Sequence, residues 1–234
     1  MSPERHLLCR RKGLIAAAYG DRRRFLQSGA LLMLAAMLPL GRATGALAAR
    51  PLKIIAFGDS LTAGYMLPAS AAFPAVLEKA LWADGHDVAI VNAGVSGDTA
   101  SGGLDRLDWT LAGGADGLIL ELGANDMLRG TDPNVTKAAL DTMLSQLKAR
   151  DIKVLLAGMK ASPSLGKNYQ TAFDAIYPAL AQKYDVPLYP FFLDGVAGDP
   201  SLKLGDGMHP NQAGVERIVK GILPLVEAFL NGLS

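Results

Sequence analysis

Four short segments carry side chains that together could perform acyl transfer. Gly58-Asp59-Ser60-Leu61-Thr62-Ala63-Gly64 follows an apolar run and places a serine at a strand-to-helix corner. Such a corner exposes the hydroxyl and presents backbone N–H groups where negative charge is stabilised. A serine hydroxyl is a poor nucleophile at neutral pH unless a base takes its proton. Asp206-Gly207-Met208-His209-Pro210-Asn211 offers that base. Imidazole titrates at roughly 6.5, near working pH. Asp206 stands three residues earlier and can accept the other ring N–H, which fixes the tautomer. Between them, Asn92 to Thr99 and Gly123 to Gly130 contribute Gly97 and Asn125. A glycine N–H and a side-chain amide are suitable donors to an oxyanion. Each segment also has an ordinary reading: Ser60 as a helix cap, the two Gly/Asn stretches as turns, and Asp206 with His209 as a solvated loop. His86 is a rival base, but Gly85-His86-Asp87 enters a strand at the wrong end and reads as a surface turn. Asp59 and Asp126 are expected to hold loop backbone.

The elements that must bring these segments together are legible as alternating periods. Leu52 to Phe57, Val88 to Val91, Gly117 to Leu122, Ile152 to Leu156 and Val186 to Tyr189 are short apolar runs, read as strands. Phe73 to Ala83 is apolar at 73, 76, 77, 80 and 81, the stripe of one helix face. Leu104, Leu107 and Leu111 mark a second helix. A third runs from Asp132-Pro133 to about Arg150, a fourth from Tyr169 to Tyr184, and a last one opens at Pro210 and runs to about Asn231. Five strands alternating with five helices predict a three-layer α/β fold with a parallel sheet. In such a sheet, function gathers beyond the carboxyl ends of the strands, where all four segments fall.

Taken together and in this order, the segments resemble the four blocks of the SGNH-hydrolase, or GDSL-esterase, family. The match is nearest to its bacterial thioesterase I/lysophospholipase/arylesterase branch. Gly58 to Leu61 resembles the first block, Ser96 to Thr99 the second, Gly123 to Asp126 the third and Asp206-x-x-His209 the last. The likeness extends to Ala71-Ala72-Phe73-Pro74, Leu128-Arg129-Gly130 and Val186-Pro187-Leu188. It implies a flavodoxin-like five-stranded sheet and a serine hydrolase that needs no cofactor and no metal. It further implies Ser60 as nucleophile, His209 as base and then acid, and Asp206 as its orienting carboxylate. The oxyanion hole would be the N–H groups of Ser60 and Gly97 with the side chain of Asn125. Substrates would be aryl esters, acyl esters, lysophospholipids or acyl thioesters. Met66, Leu67, Met127, Leu128 and Met159 suggest an apolar cleft. The alternatives are a carbohydrate O-deacetylase, which would want an open polar cleft, and a binding module, which would be expected to have lost Ser60, Asn125 or His209.

The net charge of +1 sums two unlike parts. Residues 1–50 hold nine Lys/Arg against two Asp/Glu, +7, and residues 51–234 hold 14 against 20, −6. An acidic body gives no electrostatic reason to expect nucleic-acid binding. The sole cysteine is Cys9 and the only histidines are His6, His86 and His209, so a Cys or multi-His metal site is not expected. The Arg-rich start is followed by a twelve-residue apolar run, Gly29 to Leu40, and then by Ala46-Leu47-Ala48. As a helix the run spans about 18 Å against a hydrocarbon core of roughly 30 Å, too short for a permanent span. Basic, apolar and small residues in that order predict an export signal peptide over 1–49, with the hydrolase domain at 50–234 in the periplasm or outside the cell. Asp21-Arg22-Arg23-Arg24-Phe25-Leu26-Gln27 resembles a twin-arginine signal, and the general secretory route stays open.

Overall fold

From Ile54 onward every residue of β1 (Leu52–Gly58) is buried. An apolar run without alternation suits a strand covered on both faces, as in a parallel sheet wrapped by helices. A computed structural model of the chain describes residues 50–233, and the export segment expected over 1–49 lies outside the described residues. After β1 come α1 (Ser60–Ala63), α2 (Phe73–Ala83), β2 (Val88–Gly94), α3 (Ala100–Thr110), β3 (Gly117–Glu121), α4 (Ala124–Leu128) and α5 (Pro133–Ala149). There follow β4 (Lys153–Ala157), α6 (Lys167–Asp174), α7 (Ile176–Tyr184), β5 (Leu188–Tyr189) and α8 (Gln212–Asn231). No helix among the described residues is long and apolar enough to cross a membrane.

The five strands are parallel, in the order β2-β1-β3-β4-β5, which is the flavodoxin-like order. Helix α2 packs on α8, while α3 packs on α5 and α5 on α7. Right-handed crossovers place these two groups on opposite faces of the sheet. Neighbouring strands β1 and β3 send their connections in opposite directions, so a crevice opens beyond their carboxyl ends. The register sets three loops level there, because Gly58 pairs with both Gly94 and Glu121. Helix α1 then lies directly on the end of β2. A Cβ on Gly94 would stand 2.2 Å from the Ala63 nitrogen, so only glycine permits this approach.

β2 runs three residues beyond the expected Val91, to Gly94, and three further differences from the sequence expectation have a local cause. The helix expected over Tyr169–Tyr184 is broken at Ala175 into α6 and α7. Pro178 explains the break, since it has no N–H to bond the Asp174 carbonyl and its ring would clash with that oxygen. The last helix starts at Gln212 and not at Pro210. Its cap is Asn211, whose side chain accepts the Gly214 N–H at 3.0 Å, and Pro210 instead bridges antiparallel to Lys203. The last strand is confined to Leu188–Tyr189: Val186 donates its N–H back to the Ala181 carbonyl, and Pro187 has none to give.

Of the three carboxyl groups buried at the same sheet edge, Asp59, Glu121 and Asp126, the first two lie against each other. Glu121 ends β3, and its Oε2 accepts the Thr62 hydroxyl at 2.8 Å and the Asp59 N–H at 3.3 Å. Its Oε1 has no partner among the described residues. Burial, and then the negative charge of Asp59, hold the Glu121 carboxyl well above the usual carboxylate range. Burial likewise pushes Asp59 up to about 6, against the hydrogen bonds from Leu61 and Asn125. A carboxyl whose pKa is raised on folding binds its proton more tightly in the folded state. Its contribution is therefore most favourable below the unfolded value of about 4 and is lost as pH rises through the folded one. Glu121→Gln should remove part of that loss. Melting temperature followed from pH 5 to pH 9 should fall less steeply in the variant than in the parent. The difference should be about 2–4 °C, the shift that one kcal/mol produces in a domain of this size. Parallel curves would mean that Glu121 stays ionised throughout.

Candidate active site

Ser60 is the first residue of α1 and not its cap. The cap is Asp59, whose side chain accepts the Leu61 N–H at 2.9 Å. This disposes of the capping alternative for Ser60 and leaves its hydroxyl free for another partner. That partner is His209, with Nε2 2.8 Å from the serine Oγ. The opposite ring nitrogen, Nδ1, lies 2.6 Å from Asp206 Oδ2. Asp206 Oδ1 accepts the N–H groups of Met208 and His209 at 2.9 and 3.0 Å. These bonds lower the Asp206 pKa to about 2, with the His209 hydrogen bond the largest cause and the Met208 and His209 N–H groups next. The carboxylate is thus ionised across the neutral range. Helix α1 is a single turn, so what it offers is the local N–H of Ser60 and not an accumulated macrodipole.

The loops after β2 and β3 bring Gly97 and Asn125 to the same edge. Gly97 has φ of +86°, a conformation open to glycine. Its carbonyl accepts Arg129 Nη2 at 2.8 Å. The N–H groups of Ser60 and Gly97 have no acceptor among the described residues. Asn125 Nδ2 donates to Asp59 Oδ2 at 3.0 Å and to the Asp98 carbonyl at 2.9 Å. All five residues picked out in the sequence, Ser60, Gly97, Asn125, Asp206 and His209, therefore converge. His86 does not: it precedes β2 at the other end of the sheet, with Nε2 3.7 Å from Glu227. Asp59 and Asp126 hold loops, as expected. Asp126 accepts the Ala100 N–H at 2.8 Å and the Thr136 hydroxyl at 3.0 Å.

Ser60, Asn125 and His209 face a cavity of about 610 Å³ whose walls include Met127, Leu128, Met159, Phe191, Leu193 and Met208. The apolar cleft expected from the sequence is there, with a different membership. Met66 is 77% exposed and Leu67 packs on the core, so neither lines it. A second hollow of about 550 Å³ lies at the opposite end of the strands, around Leu144, Ile152, Val186 and Phe229, and has no serine beside a base. Sequence reasoning missed Tyr65, whose ring lies 4.4 Å from that of His209, tilted by 34°. A tyrosine just past a one-turn helix carries no periodic signal that could have announced it.

The family model described as GDSL-like Lipase/Acylhydrolase matches residues 56–217. The chain is 38% identical over 200 residues to "Esterase TesA" of Pseudomonas aeruginosa, covering 85% of this chain and 98% of the relative. It is 42% identical over 160 residues to "Thioesterase 1/protease 1/lysophospholipase L1" of Escherichia coli, covering 68% and 76%. Among solved structures, an SGNH-hydrolase family esterase named AlinE4 superposes with a TM-score of 0.66 at 45% identity, covering 78% of this chain and 98% of that one. The order of the strands, the convergence of the four segments and these likenesses agree, and the chain belongs to the GDSL-like lipase/acylhydrolase family of SGNH hydrolases.

Proposed function

We propose that the protein hydrolyses carboxylic esters or thioesters with an apolar acyl or aryl part, through an acyl-enzyme on Ser60. The observation that carries this reading is the unbroken relay from Ser60 Oγ through His209 to Asp206, set at the wall of an apolar cavity. His209 Nε2 takes the hydroxyl proton as Oγ bonds to the substrate carbonyl carbon. Asp206, ionised, holds the ring with Nδ1–H toward itself and stabilises the imidazolium that forms. The new oxyanion meets the free N–H groups of Ser60 and Gly97. Asn125 adds a third donor by sharing the hydrogen now held by the Asp98 carbonyl, since an oxyanion is a stronger acceptor than a neutral carbonyl. That donor is satisfied in the resting enzyme and is drawn off only as charge develops, which favours the transition state over the ground state. Collapse expels the alkoxide or thiolate, which leaves with the proton from His209. Water then attacks the acyl-enzyme as His209 takes its proton, and collapse breaks the Oγ–acyl bond, with His209 returning that proton to Ser60 Oγ as the carboxylic acid leaves.

We also propose that residues 1–49 direct export and are removed. The order of basic, apolar and small residues up to Ala46-Leu47-Ala48 supports this. In the native host, intact-mass analysis of periplasmic or culture fractions should find a chain beginning near Ala49. Full-length protein confined to the cytoplasm would refute the proposal.

A fluorophosphonate should label Ser60 stoichiometrically. Ser60→Ala should lose both label and turnover while its far-UV spectrum and melting point stay near those of the parent. Label on another residue, with Ser60 unmodified and turnover gone, would overturn the assignment. Chain-length preference follows from the cavity wall. Each CH₂ buried there gains about 0.8 kcal/mol, close to fourfold in kcat/KM, until the cavity is full. Thioethers adapt to varied shapes, so a broad plateau is expected and not a sharp optimum. Across p-nitrophenyl esters from acetate to palmitate, kcat/KM should climb and then level off at short to medium length, with activity on phenyl acetate. A strict preference for acetate, with an acetylated xylan oligomer as best substrate, would instead identify a deacetylase.

A further inference from the structure

The side chain of Arg106 ties the end of β1 to the loop after β2 without touching the cavity. It lies on α3 with only 18% of its side chain exposed. Its Nε donates to Asp98 Oδ2 at 2.6 Å and its Nη2 to the Gly58 carbonyl at 2.9 Å. The guanidinium carbon stands 4.0 Å over the centre of the Phe57 ring, and Nη1 reaches the Thr110 hydroxyl at 3.5 Å. Gly58 is two residues before Ser60, and Asp98 is one residue after Gly97. The carbonyl of Asp98 in turn accepts Asn125 Nδ2 at 2.9 Å. One planar cation is thus bonded next to each of the two backbone donors and, through one further hydrogen bond, to the third.

We infer that Arg106 is a positioning residue for the oxyanion hole, setting the spacing at which the N–H groups of Ser60 and Gly97 and the amide of Asn125 meet one oxygen. The inference rests on the hole proposed above. Its physical ground is the rigidity of the parts. A guanidinium is flat, permanently charged and presents its donors in a fixed fork. Stacked on Phe57 and bonded along two edges, it fixes the distance from Gly58 to Asp98. Lysine would keep the charge but concentrate it at one atom. A hole acts through donors already in place when charge develops, and a misplacement of about 1 Å can cost on the order of a hundredfold. Arg129 braces Gly97 from the solvent side, but it makes no bond to the segment bearing Ser60 and cannot set this spacing alone. Arg106 is absent from the cavity wall, so it acts through other residues.

The test is a double-mutant cycle with Asn125→Ala, with kcat referred to competent sites counted by fluorophosphonate. Arg106→Gln should lower kcat by about tenfold or more with KM within about twofold, bounded by the 10²–10³ that loss of a whole donor costs. Arg106→Lys should fall between Arg106→Gln and the parent. In the Asn125→Ala background the Arg106→Gln step should shrink to about threefold or less, because residues acting as one unit are not additive. An Arg106→Gln effect that multiplies unchanged onto Asn125→Ala, or one confined to the melting temperature, would overturn the inference while leaving the hole intact. An Asn125→Ala enzyme as fast as the parent would instead strike down the hole reading itself. If Arg106→Gln does not fold, the same cycle is read with Arg106→Lys.

Discussion

The 2.8 Å hydrogen bond between Ser60 and His209 joins residues 149 positions apart, and the remainder of the fold is what makes that contact available. Bringing distant parts of a chain together carries an entropic cost, which packing elsewhere must offset. The sheet supplies one end of the contact: β1 is paired on both sides, so Ser60 leaves from its interior. Helix α8 supplies the other. It packs on α2, the helix that follows the serine loop, and its buried face of Val215, Ile218, Val219, Ile222 and Val226 anchors the chain immediately after His209. His209 reaches Ser60 because the last helix is held against α2, the helix that follows the serine loop.

The acidic residues of the motifs form a second layer of order. Asp59, in the loop after β1, accepts from Asn125 in the loop after β3. Asp126, after β3, accepts the backbone of Ala100 after β2. Asp98, after β2, is tied through Arg106 to Gly58 at the end of β1. Each loop thus lends a carboxylate to another, and the three cross-links close a ring. Loops and helix starts leave backbone donors without partners, and a buried unpaired donor is costly. A carboxylate with two acceptor oxygens can satisfy such a donor and reach a second segment at once. The arrangement carries its own cost in desolvation, visible in Asp59 and in Glu121 with its unpartnered Oε1. An apolar replacement would relieve that cost and leave the Asp59 N–H and the Thr62 hydroxyl unpaired.

What could be read from the sequence follows the same division. β1, β3 and β4 were legible because parallel strands covered on both faces write themselves as uninterrupted apolar runs, the edge strands β2 and β5 only from short apolar stretches, and α2 and α5 because their buried stripes keep a helical period. The break at Ala175 was less visible: the apolar period continues across it, and only Pro178 marks it. The start of α8 was displaced because Pro210 looks like a first-turn proline, whereas Asn211 supplies the capping oxygen and Pro210 belongs to the bridge with Lys203. Ser60, Gly97, Asn125, Asp206 and His209 could be nominated because their chemistry is particular to them and their segments end strands. Arg106 and Tyr65 could not. An arginine beside a leucine stripe resembles any solvated helix face, and only the fold reveals that its guanidinium lies over Phe57. Likewise nothing in Gly-Leu-Ile-Leu-Glu-Leu separates a buried Glu121 from one at an exposed strand end.

The two halves of the site differ in construction, one cross-linked by hydrogen bonds and the other walled by flexible side chains, and the difference suits what each would recognise under the proposed function. The oxyanion side meets the same geometry in every ester or thioester, one carbonyl oxygen gaining charge. It can be rigid, and the ring of carboxylates, with Arg106 stacked on Phe57, cross-links its three segments. Under the proposed function the acyl side would meet chains of different length and shape. Much of its wall is Met127, Met159 and Met208 with Leu128 and Leu193, side chains with several accessible rotamers, with Lys160, Gln170 and Lys203 also on the wall. His209 stands where the halves join. Its ring touches Tyr65 on one side and Asp206 on the other. Its loop is tied down by the Leu204 N–H to the His209 carbonyl at 2.8 Å and by Asn211 Nδ2 to the Ser201 and Lys203 carbonyls. Discrimination between acyl groups then rests on how much apolar surface the adaptable wall can cover. Such a wall would separate neighbouring chain lengths only by a methylene's worth of free energy, so under the proposed function a cross-linked catalytic half and an adaptable binding half would make an enzyme strict about the bond it cleaves and tolerant of what is attached to it.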